Sequence, residues 1–232
     1  MVSVRTNRSR LFRAVIFDLD GTLLDTLAEI AESMNAALVR LGFPPHDLVA
    51  YRLLTGDGVT ALVTNSLPPE ARDGATVRRA GEILREEYAS RWAQQTRLYD
   101  GIAEMLDGLT RRRLSLNILS NKMDEFAQRA ANQFLSRWTF DHVLGDGPRF
   151  RRKPDPSGAR HIASALNLPP AEVAYLGDTS TDMATAVAAG MFPVGALWGF
   201  RDADELWSWG ARAVIVHPLE FLAFFETSNS EE

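Results

Sequence analysis

Short apolar segments recur along this chain, and most are followed by a stretch with the spacing of an amphipathic helix. The apolar segments are continuous and contain β-branched residues, which is the pattern of strands buried on both faces. Strand, helix and strand in succession are typical of a parallel, doubly wound α/β sheet, and we predict that fold class. The predicted strands are 14–17, 114–119, 173–176, 194–197 and 213–216.

The segment after the first strand breaks this alternation. It has apolar positions at helical spacing, a Pro44-Pro45 break, and no convincing strand. A segment of this length can bury a small core of its own. We therefore predict an α/β core made of residues 11–24 and 96–232, with an inserted all-helical cap made of residues 25–95. The predicted helices are 27–41, 75–92, 102–112, 125–135, 156–166 and 181–189.

Composition excludes several classes of function. The 232 residues include 25 Lys+Arg and 30 Asp+Glu, and the net charge of −5 argues against binding to nucleic acid or an anionic membrane. There is no cysteine, which excludes disulfide frameworks, thiolate metal sites and cysteine nucleophiles. No apolar run reaches the ~18 residues of a membrane span. Residues 1–10 are polar and Arg/Ser-rich and do not resemble a secretory signal, so we expect a cytoplasmic protein with a disordered N-terminal extension, which the sequence favours over a short transit peptide.

The sharpest chemical feature directly follows the first predicted strand. Asp18 and Asp20 are separated by one residue, and alternate side chains of an extended segment point the same way. Ligands of doubly wound sheets bind outside the carboxyl ends of the strands, which is where this pair falls. Gly21 permits a tight turn immediately afterwards. Asp and Gly are also ordinary turn residues, so the pair alone does not distinguish a functional site from a turn.

Polar residues at three further positions extend the pattern. Ser120 and Asn121 follow another predicted strand. Lys153 stands just before a predicted helix, and Asp178 and Asp182 come after a third strand. Each has an ordinary structural explanation, such as a helix approach, a solvated charge or a capping acid. Together they predict an oxygen-rich pocket suited to Mg²⁺, in which a carboxylate attacks phosphorus while a lysine and a hydroxyl hold the phosphate oxygens.

These motifs resemble those of the haloacid dehalogenase superfamily, most closely its phosphoglycolate phosphatase-like branch with a helical cap. The resemblance runs from about Arg13 to Leu222, and the motifs around Asp18 and Asp178 are its most specific parts. It implies a Rossmann-like core and a Mg²⁺-dependent phosphomonoesterase. The implied reaction passes through an aspartyl-phosphate, and the best single candidate for the substrate is 2-phosphoglycolate.

The resemblance also implies roles for the acidic residues. Asp18 would be the nucleophile and a metal ligand. Asp20 would be the general acid and base, and would offer its backbone carbonyl to the metal. Asp178 would ligate Mg²⁺, and Asp182 would support the metal's ligand shell.

The remaining implied roles concern the phosphate. Ser120 and Asn121 would bind it, with Ser120 counted among the catalytic residues. Lys153, also catalytic, would steady both the phosphate and the nucleophile.

Other members of the superfamily catalyse different reactions, and these are alternative functions for this chain. Its dehalogenases lack the second acid of the Asp-x-Asp pair, so the presence of Asp20 argues against dehalogenation. Phosphonatase-like members use a cap lysine to form an imine, and residues 25–92 contain no lysine. The same absence weakens a resemblance to β-phosphoglucomutase. Hydrolysis of pyrophosphate or of a nucleoside or sugar phosphate remains open.

A different class is a non-catalytic module that accepts a phosphoryl group on aspartate and signals through a conformational change. Asp20 argues against it, because a second acid beside the nucleophile hastens hydrolysis of the acyl phosphate. A binding protein with an inactive phosphatase fold is disfavoured, since no expected catalytic position is substituted. The expected partner is a small phosphorylated metabolite, with neither nucleic acid nor membrane involved, and either a monomer or a homodimer fits the sequence.

Overall fold

The computed structural model describes residues 12–225. The expectation for the N-terminal extension, and the parts of the predicted core at residue 11 and at 226–232, therefore lie outside the described part of the chain. The strands are β1 (Ala14–Phe17), β2 (Leu24–Asp25), β3 (Arg97–Leu98), β4 (Ser115–Met123), β5 (His142–Asp146), β6 (Val173–Gly177), β7 (Phe192–Ala196) and β8 (Ala213–Ile215).

Six of these strands form one parallel sheet in the order β5-β4-β1-β6-β7-β8. The chain extends the sheet to one side of β1 through β4 and β5, and then crosses to the other side through β6, β7 and β8. This reversal makes the sheet doubly wound, and ligands bind such sheets at the switch point, outside the carboxyl ends of the strands. The predicted α/β fold class is confirmed.

Nine α-helices accompany these strands between residues 12 and 225, and all six predicted helices are among them, with ends within one residue of those predicted. None of the nine is both long and apolar enough to cross a bilayer. The helices are α1 (Leu27–Arg40), α2 (Leu48–Leu54), α3 (Val59–Ser66), α4 (Gly74–Arg91), α5 (Ile102–Arg111), α6 (Asp124–Phe134), α7 (Ser157–Ala165), α8 (Ser180–Ala189) and α9 (Ala203–Ser208).

Both faces of the sheet are covered by helices, which explains why the strands are continuously apolar. Val15 and Phe17 of β1 pack in one hydrophobic cluster with α5 and α6. Ala14 and Ile16 face the opposite way and pack with α7 and α8. All four side chains are fully buried. Every residue of such a central strand contributes to a core, so its sequence has no polar alternation.

The helices α1 to α4 form a separate hydrophobic cluster in which Met34 and Leu38 of α1 pack near Ile83 and Leu84 of α4. We call residues 25–95 the cap, and its boundaries stay a prediction. The chain leaves and re-enters the α/β core side by side, because β2 pairs with β3 in antiparallel fashion. Asp25 thus lies in a strand that the sequence did not indicate, since two residues are too short to show periodicity.

A buried carboxylate joins the two chain crossings. Glu29 of α1 accepts hydrogen bonds from the backbone N–H groups of Gln95, at 2.5 Å, and Thr96, at 3.2 Å, and from the hydroxyl of Thr96. Its side chain is only 1% exposed. The first cap helix is therefore tied to the segment that returns to the core, and loss of this carboxylate leaves buried donors without an acceptor.

We expect Glu29→Ala to lower the free energy of unfolding by about 3 kcal/mol, because an unsatisfied buried donor costs roughly 1–3 kcal/mol. Urea denaturation followed by circular dichroism measures the change. Glu32→Ala is the matched control, since Glu32 lies on the same helix, is exposed, and accepts one hydrogen bond from the Gln95 side chain. Equal effects of the two substitutions would contradict the role assigned to Glu29.

Candidate active site

Lys153 lies within a buried charged cluster at the carboxyl edge of the sheet. Its Nζ atom is 2.9 Å from Asp18 Oδ1 and 2.6 Å from Asp182 Oδ1. Asp18 follows β1, Asp182 lies in the first turn of α8, and Lys153 comes from the loop before α7. The structure therefore brings together three of the residues that the sequence placed at separate strand and helix ends.

Asp178 adds a third carboxylate to this cluster. One carboxylate oxygen from each of Asp18, Asp178 and Asp182 lies within 4.8 Å of the other two, and all three residues are buried. Burial raises the pKa of Asp18 to about 7, although the Lys153 ammonium opposes the shift. Burial and the charges of Asp182 and Asp18 also hold the pKa of Asp178 well above its usual range. Burial beside other acids thus favours the protonated forms of Asp18 and Asp178 when no cation is bound.

The donor set of this cluster suits a hard divalent cation such as Mg²⁺, which prefers carboxylate oxygens. Asp18 Oδ1 is buried, and its polar contact among the described residues is the ion pair with Lys153 at 2.9 Å, with no further hydrogen-bond donor. Each oxygen of Asp182 already accepts two hydrogen bonds, Oδ1 from Lys153 and Tyr175 and Oδ2 from the backbone and hydroxyl of Thr179 in a capping box, whereas each oxygen of Asp178 accepts one. Asp18 and Asp178 are therefore the side chains best able to hold a cation.

Asp178 is fixed by partners that are distant in sequence. The Thr22 hydroxyl donates to Oδ1 at 2.8 Å, and the Phe200 N–H donates to Oδ2 at 2.8 Å. Gly21 and Gly199 pack directly against the carboxylate, and a Cβ atom on either would lie 2.4 Å from Oδ2. Gly21 also has a φ of +86°, which side chains rarely adopt. Both glycines are thus needed for close backbone approach to the acid.

Asp20 pairs with a different lysine. Lys122 Nζ donates to the two carboxylate oxygens of Asp20 at 2.8 and 3.0 Å, and to the Tyr88 hydroxyl at 2.7 Å. Burial alone would lower the pKa of Lys122, but the charge of Asp20 keeps it above its usual value. No role was predicted for Lys122 or Tyr88. The composition could have pointed to Lys122, because Lys122 and Lys153 are the only lysines among the 25 Lys+Arg residues.

Ser120 and Asn121 lie near the end of β4 and are buried. The Ser120 hydroxyl accepts a hydrogen bond from the Lys122 N–H at 3.3 Å. The Asn121 side chain accepts from the Lys153 N–H at 2.9 Å and donates to the carbonyls of Lys153 and Gly56, both at 3.1 Å. Its amide thus holds the Lys153 backbone and contacts the cap, so both amide N–H donors are used. Phosphate binding by Asn121 stays a prediction.

A cleft between the cap and the core leads to these groups. Asp18, Asp20, Ser120 and Lys122 line it from the core, and its cavity has a volume of about 80 Å³. The cap provides a mostly apolar wall and the Tyr88 side chain. The apolar members of that wall are Ile30, Val59, Leu62 and Leu84.

Hydrogen bonds hold the cap against the core beside this cleft. The guanidinium of Arg201 donates to the backbone carbonyls of Arg52, Leu53 and Thr55 at the end of α2. The Thr181 hydroxyl donates to Asp57 Oδ1 at 2.5 Å. The cap segment that carries these acceptors therefore lies over the carboxyl edge of the sheet.

Known proteins are similar to this chain in sequence and in fold. The family model described as haloacid dehalogenase-like hydrolase matches residues 15–196. A phosphoglycolate phosphatase from Chromobacterium violaceum is 32% identical over 197 residues, which cover 84% of this chain and 89% of the relative. An N-acetylmuramic acid 6-phosphate phosphatase from Pseudomonas putida is 32% identical over 216 residues, covering 90% and 93%. A solved haloacid dehalogenase-like family hydrolase from Streptococcus pneumoniae superposes with a TM-score of 0.84 at 25% identity, covering 93% and 99%.

We expect Asp178→Asn to leave the metal-free protein at least as stable as the wild type and to abolish its stabilisation by Mg²⁺. The substitution removes one of three mutually repelling buried charges. The asparagine can still accept from the Phe200 N–H and donate to the Thr22 hydroxyl. Saturating Mg²⁺ should raise the Tm of the wild type by about 5 °C, and that of the variant by less than about 1 °C. Differential scanning fluorimetry in EDTA and in Mg²⁺ measures both values.

The advantage of the metal-free variant should grow with pH. The folded state favours the protonated form of acids whose pKa is raised, so their ionisation costs stability progressively from near pH 4 upward. The difference in Tm between variant and wild type in EDTA should therefore be larger at pH 8 than at pH 5. Asp204→Asn, at an exposed position of α9, is the control and should show neither effect. A variant that is less stable than wild type in EDTA at pH 8 would contradict this account.

Proposed function

The chain belongs to the haloacid dehalogenase-like hydrolase family, and we propose that it is a Mg²⁺-dependent phosphomonoesterase of a small phosphorylated metabolite, with 2-phosphoglycolate as the best single candidate. The observation that carries this proposal is the buried Asp18 carboxylate, which pairs with the Lys153 ammonium at 2.9 Å and lines a cleft that also contains Asp20. A nucleophile, a cation and a second acid at one site are what phosphoryl transfer through an aspartate requires.

The proposed reaction has two steps. In the first, an Asp18 oxygen forms a bond to phosphorus while the bond from phosphorus to the ester oxygen breaks, and Asp20 donates a proton to the departing oxygen. In the second, Asp20 takes a proton from water as the water oxygen attacks phosphorus. The bond between Asp18 and phosphorus then breaks, which releases phosphate and restores both carboxyl groups.

Lys153 and a bound Mg²⁺ would neutralise different negative charges in the site. The Lys153 ammonium holds the Asp18 carboxylate in place and would contact a phosphate oxygen. Asp18 and Asp178, with the backbone carbonyl of Asp20, would hold Mg²⁺, which when bound offsets the negative charge of the acids and the phosphate. The Ser120 hydroxyl accepts one hydrogen bond, and its proton would be donated to a further phosphate oxygen.

The choice of substrate depends on the cleft, because relatives of equal identity have names that specify different phosphate esters. A cavity of about 80 Å³ is well below the ~300 Å³ lower bound for drug-sized ligands. The apolar cap wall also offers few partners for the hydroxyl groups of a sugar. A short phosphate ester such as 2-phosphoglycolate therefore suits this site better than an amino sugar phosphate or a nucleotide.

We expect phosphate release from 2-phosphoglycolate in Mg²⁺, none in EDTA, and a loss of at least ~10³-fold in Asp18→Asn, which removes the nucleophile. A colorimetric phosphate assay measures the rates, with N-acetylmuramic acid 6-phosphate, pyrophosphate and a nucleoside monophosphate as competing substrates. Asp204→Asn should match the wild type. Turnover centred on another ester would retain the mechanism and change the substrate. A persistent phosphorylated protein with no turnover would instead support a phospho-accepting regulatory module.

A further inference from the structure

The two lysines of this chain have separate positions in the site. Every other cationic side chain counted among the 25 Lys+Arg is arginine, yet Lys122 and Lys153 are both buried around the candidate nucleophile and acid. Lys153 pairs with Asp18 and Asp182, on the phosphate side. Lys122 pairs with Asp20, on the side of the cleft that faces the cap. The proposed function uses Lys153 and leaves Lys122 without a role.

Lys122 lies between the core and the cap and contacts both. Its side chain is 6% exposed, and its ammonium lies between the Asp20 carboxylate and the hydroxyl of Tyr88, a residue of α4. Of the described residues that line the cleft, Lys122 is the one with a positive charge. A compact ammonium with three rotatable donors fits between these two acceptors, whereas the planar fork of arginine requires a wider site.

The position of Asp20 indicates which part of the substrate would lie beside Lys122. If Asp20 protonates the leaving oxygen, that oxygen lies within hydrogen-bond distance of the Asp20 carboxylate. Both oxygens of this carboxylate contact Lys122 Nζ, at 2.8 and 3.0 Å. The atoms of the substrate beyond the leaving oxygen therefore lie beside the Lys122 ammonium. One Asp20 oxygen can turn to the leaving group while the other keeps its contact, which frees one Lys122 N–H.

We propose that Lys122, supported by the Tyr88 hydroxyl, is the specificity-determining residue that binds an anionic group on the leaving portion of the substrate. The site then selects short phosphate esters that carry a carboxylate a few atoms beyond the ester oxygen. This inference rests on the proposed function for the identity of the reacting groups. The surrounding apolar wall strengthens the selection, because a charge in a mostly apolar cleft has few other partners.

A competing role for Lys122 is to position Asp20 without contacting the substrate. The two roles differ in their effect on substrates with and without the second anion. A positioning role affects all phosphate esters to a similar degree, because every ester requires the acid. An anion-binding role affects only ligands that carry the carboxylate.

Binding of two phosphonates separates these roles without any turnover. In 3-phosphonopropionate a CH₂ group replaces the ester oxygen of 2-phosphoglycolate, and propylphosphonate has the same chain length without the carboxylate. Isothermal titration calorimetry of the Mg²⁺-loaded wild type should give at least ~10-fold tighter binding of 3-phosphonopropionate, as expected for a hydrogen bond to a charged group. Lys122→Met should abolish this preference and change the affinity for propylphosphonate by less than ~3-fold.

Two further variants show whether a lost preference in Lys122→Met comes from misfolding. Tyr88→Phe removes only a hydroxyl and should reduce the preference by a smaller factor. Arg85→Met removes a cation that pairs with Glu125 at 2.6 Å, outside the residues that line the cleft, and should leave the preference unchanged. A wild type without the preference, or a preference that survives in Lys122→Met, would overturn the proposal. A preference found in a protein that releases no phosphate from any ester would support the anion site and refute the proposed function.

Discussion

The Lys153 ammonium lies between two buried carboxylates, Asp18 and Asp182, and the arrangement of the phosphate side of the site depends on this contact. Without a cation, closely spaced buried acids would repel one another and take up protons. The contact also links distant parts of the chain, because Asp182 caps α8 and the Asn121 side chain binds both backbone polar groups of Lys153. One ammonium therefore fixes the end of β1, the start of α8 and the loop before α7 relative to one another.

The site is built in two parts with different physical character. The phosphate side belongs to the α/β core, where Asp178 is packed between two glycines and held by hydrogen bonds from Thr22 and Phe200. The cap completes the other side of the cleft, which the proposed function assigns to the leaving group, through Tyr88 and an apolar wall. Under the proposed function, the α/β core would carry the chemistry common to phosphate esters, and the cap would select among them. Arg201 joins the parts, since it binds carbonyls at the end of the cap helix α2.

The sequence predicts the central, buried strands of the fold better than the edge strand of the sheet. Central strands such as β1 are continuously apolar because both faces are covered, and that pattern is visible without a structure. The edge strand β5 has only partly buried residues and no such pattern, so it was not predicted. Asp18 and Asp178 could be placed together because the carboxyl ends of parallel strands lie at one edge of the sheet, and Lys153 could be added because it precedes a predicted helix and matches a family motif. The contact between Lys122 and Tyr88 could not, because it depends on how the cap docks, and local periodicity carries no information about docking.

The scarcity of lysine gives this protein an unusual chemical property. Both ε-amino groups of the chain lie at the site, one toward the phosphate and one toward the cap, while the other basic side chains counted with them are guanidinium groups. Growth of the expression host on ¹³C,¹⁵N-lysine labels lysine side chains and leaves arginine unlabelled. Isotopic labels introduced in this way would enter the side chains at these two positions alone. Their NMR signals would report separately on the two halves of the site, with no engineered residue and no assignment of the backbone.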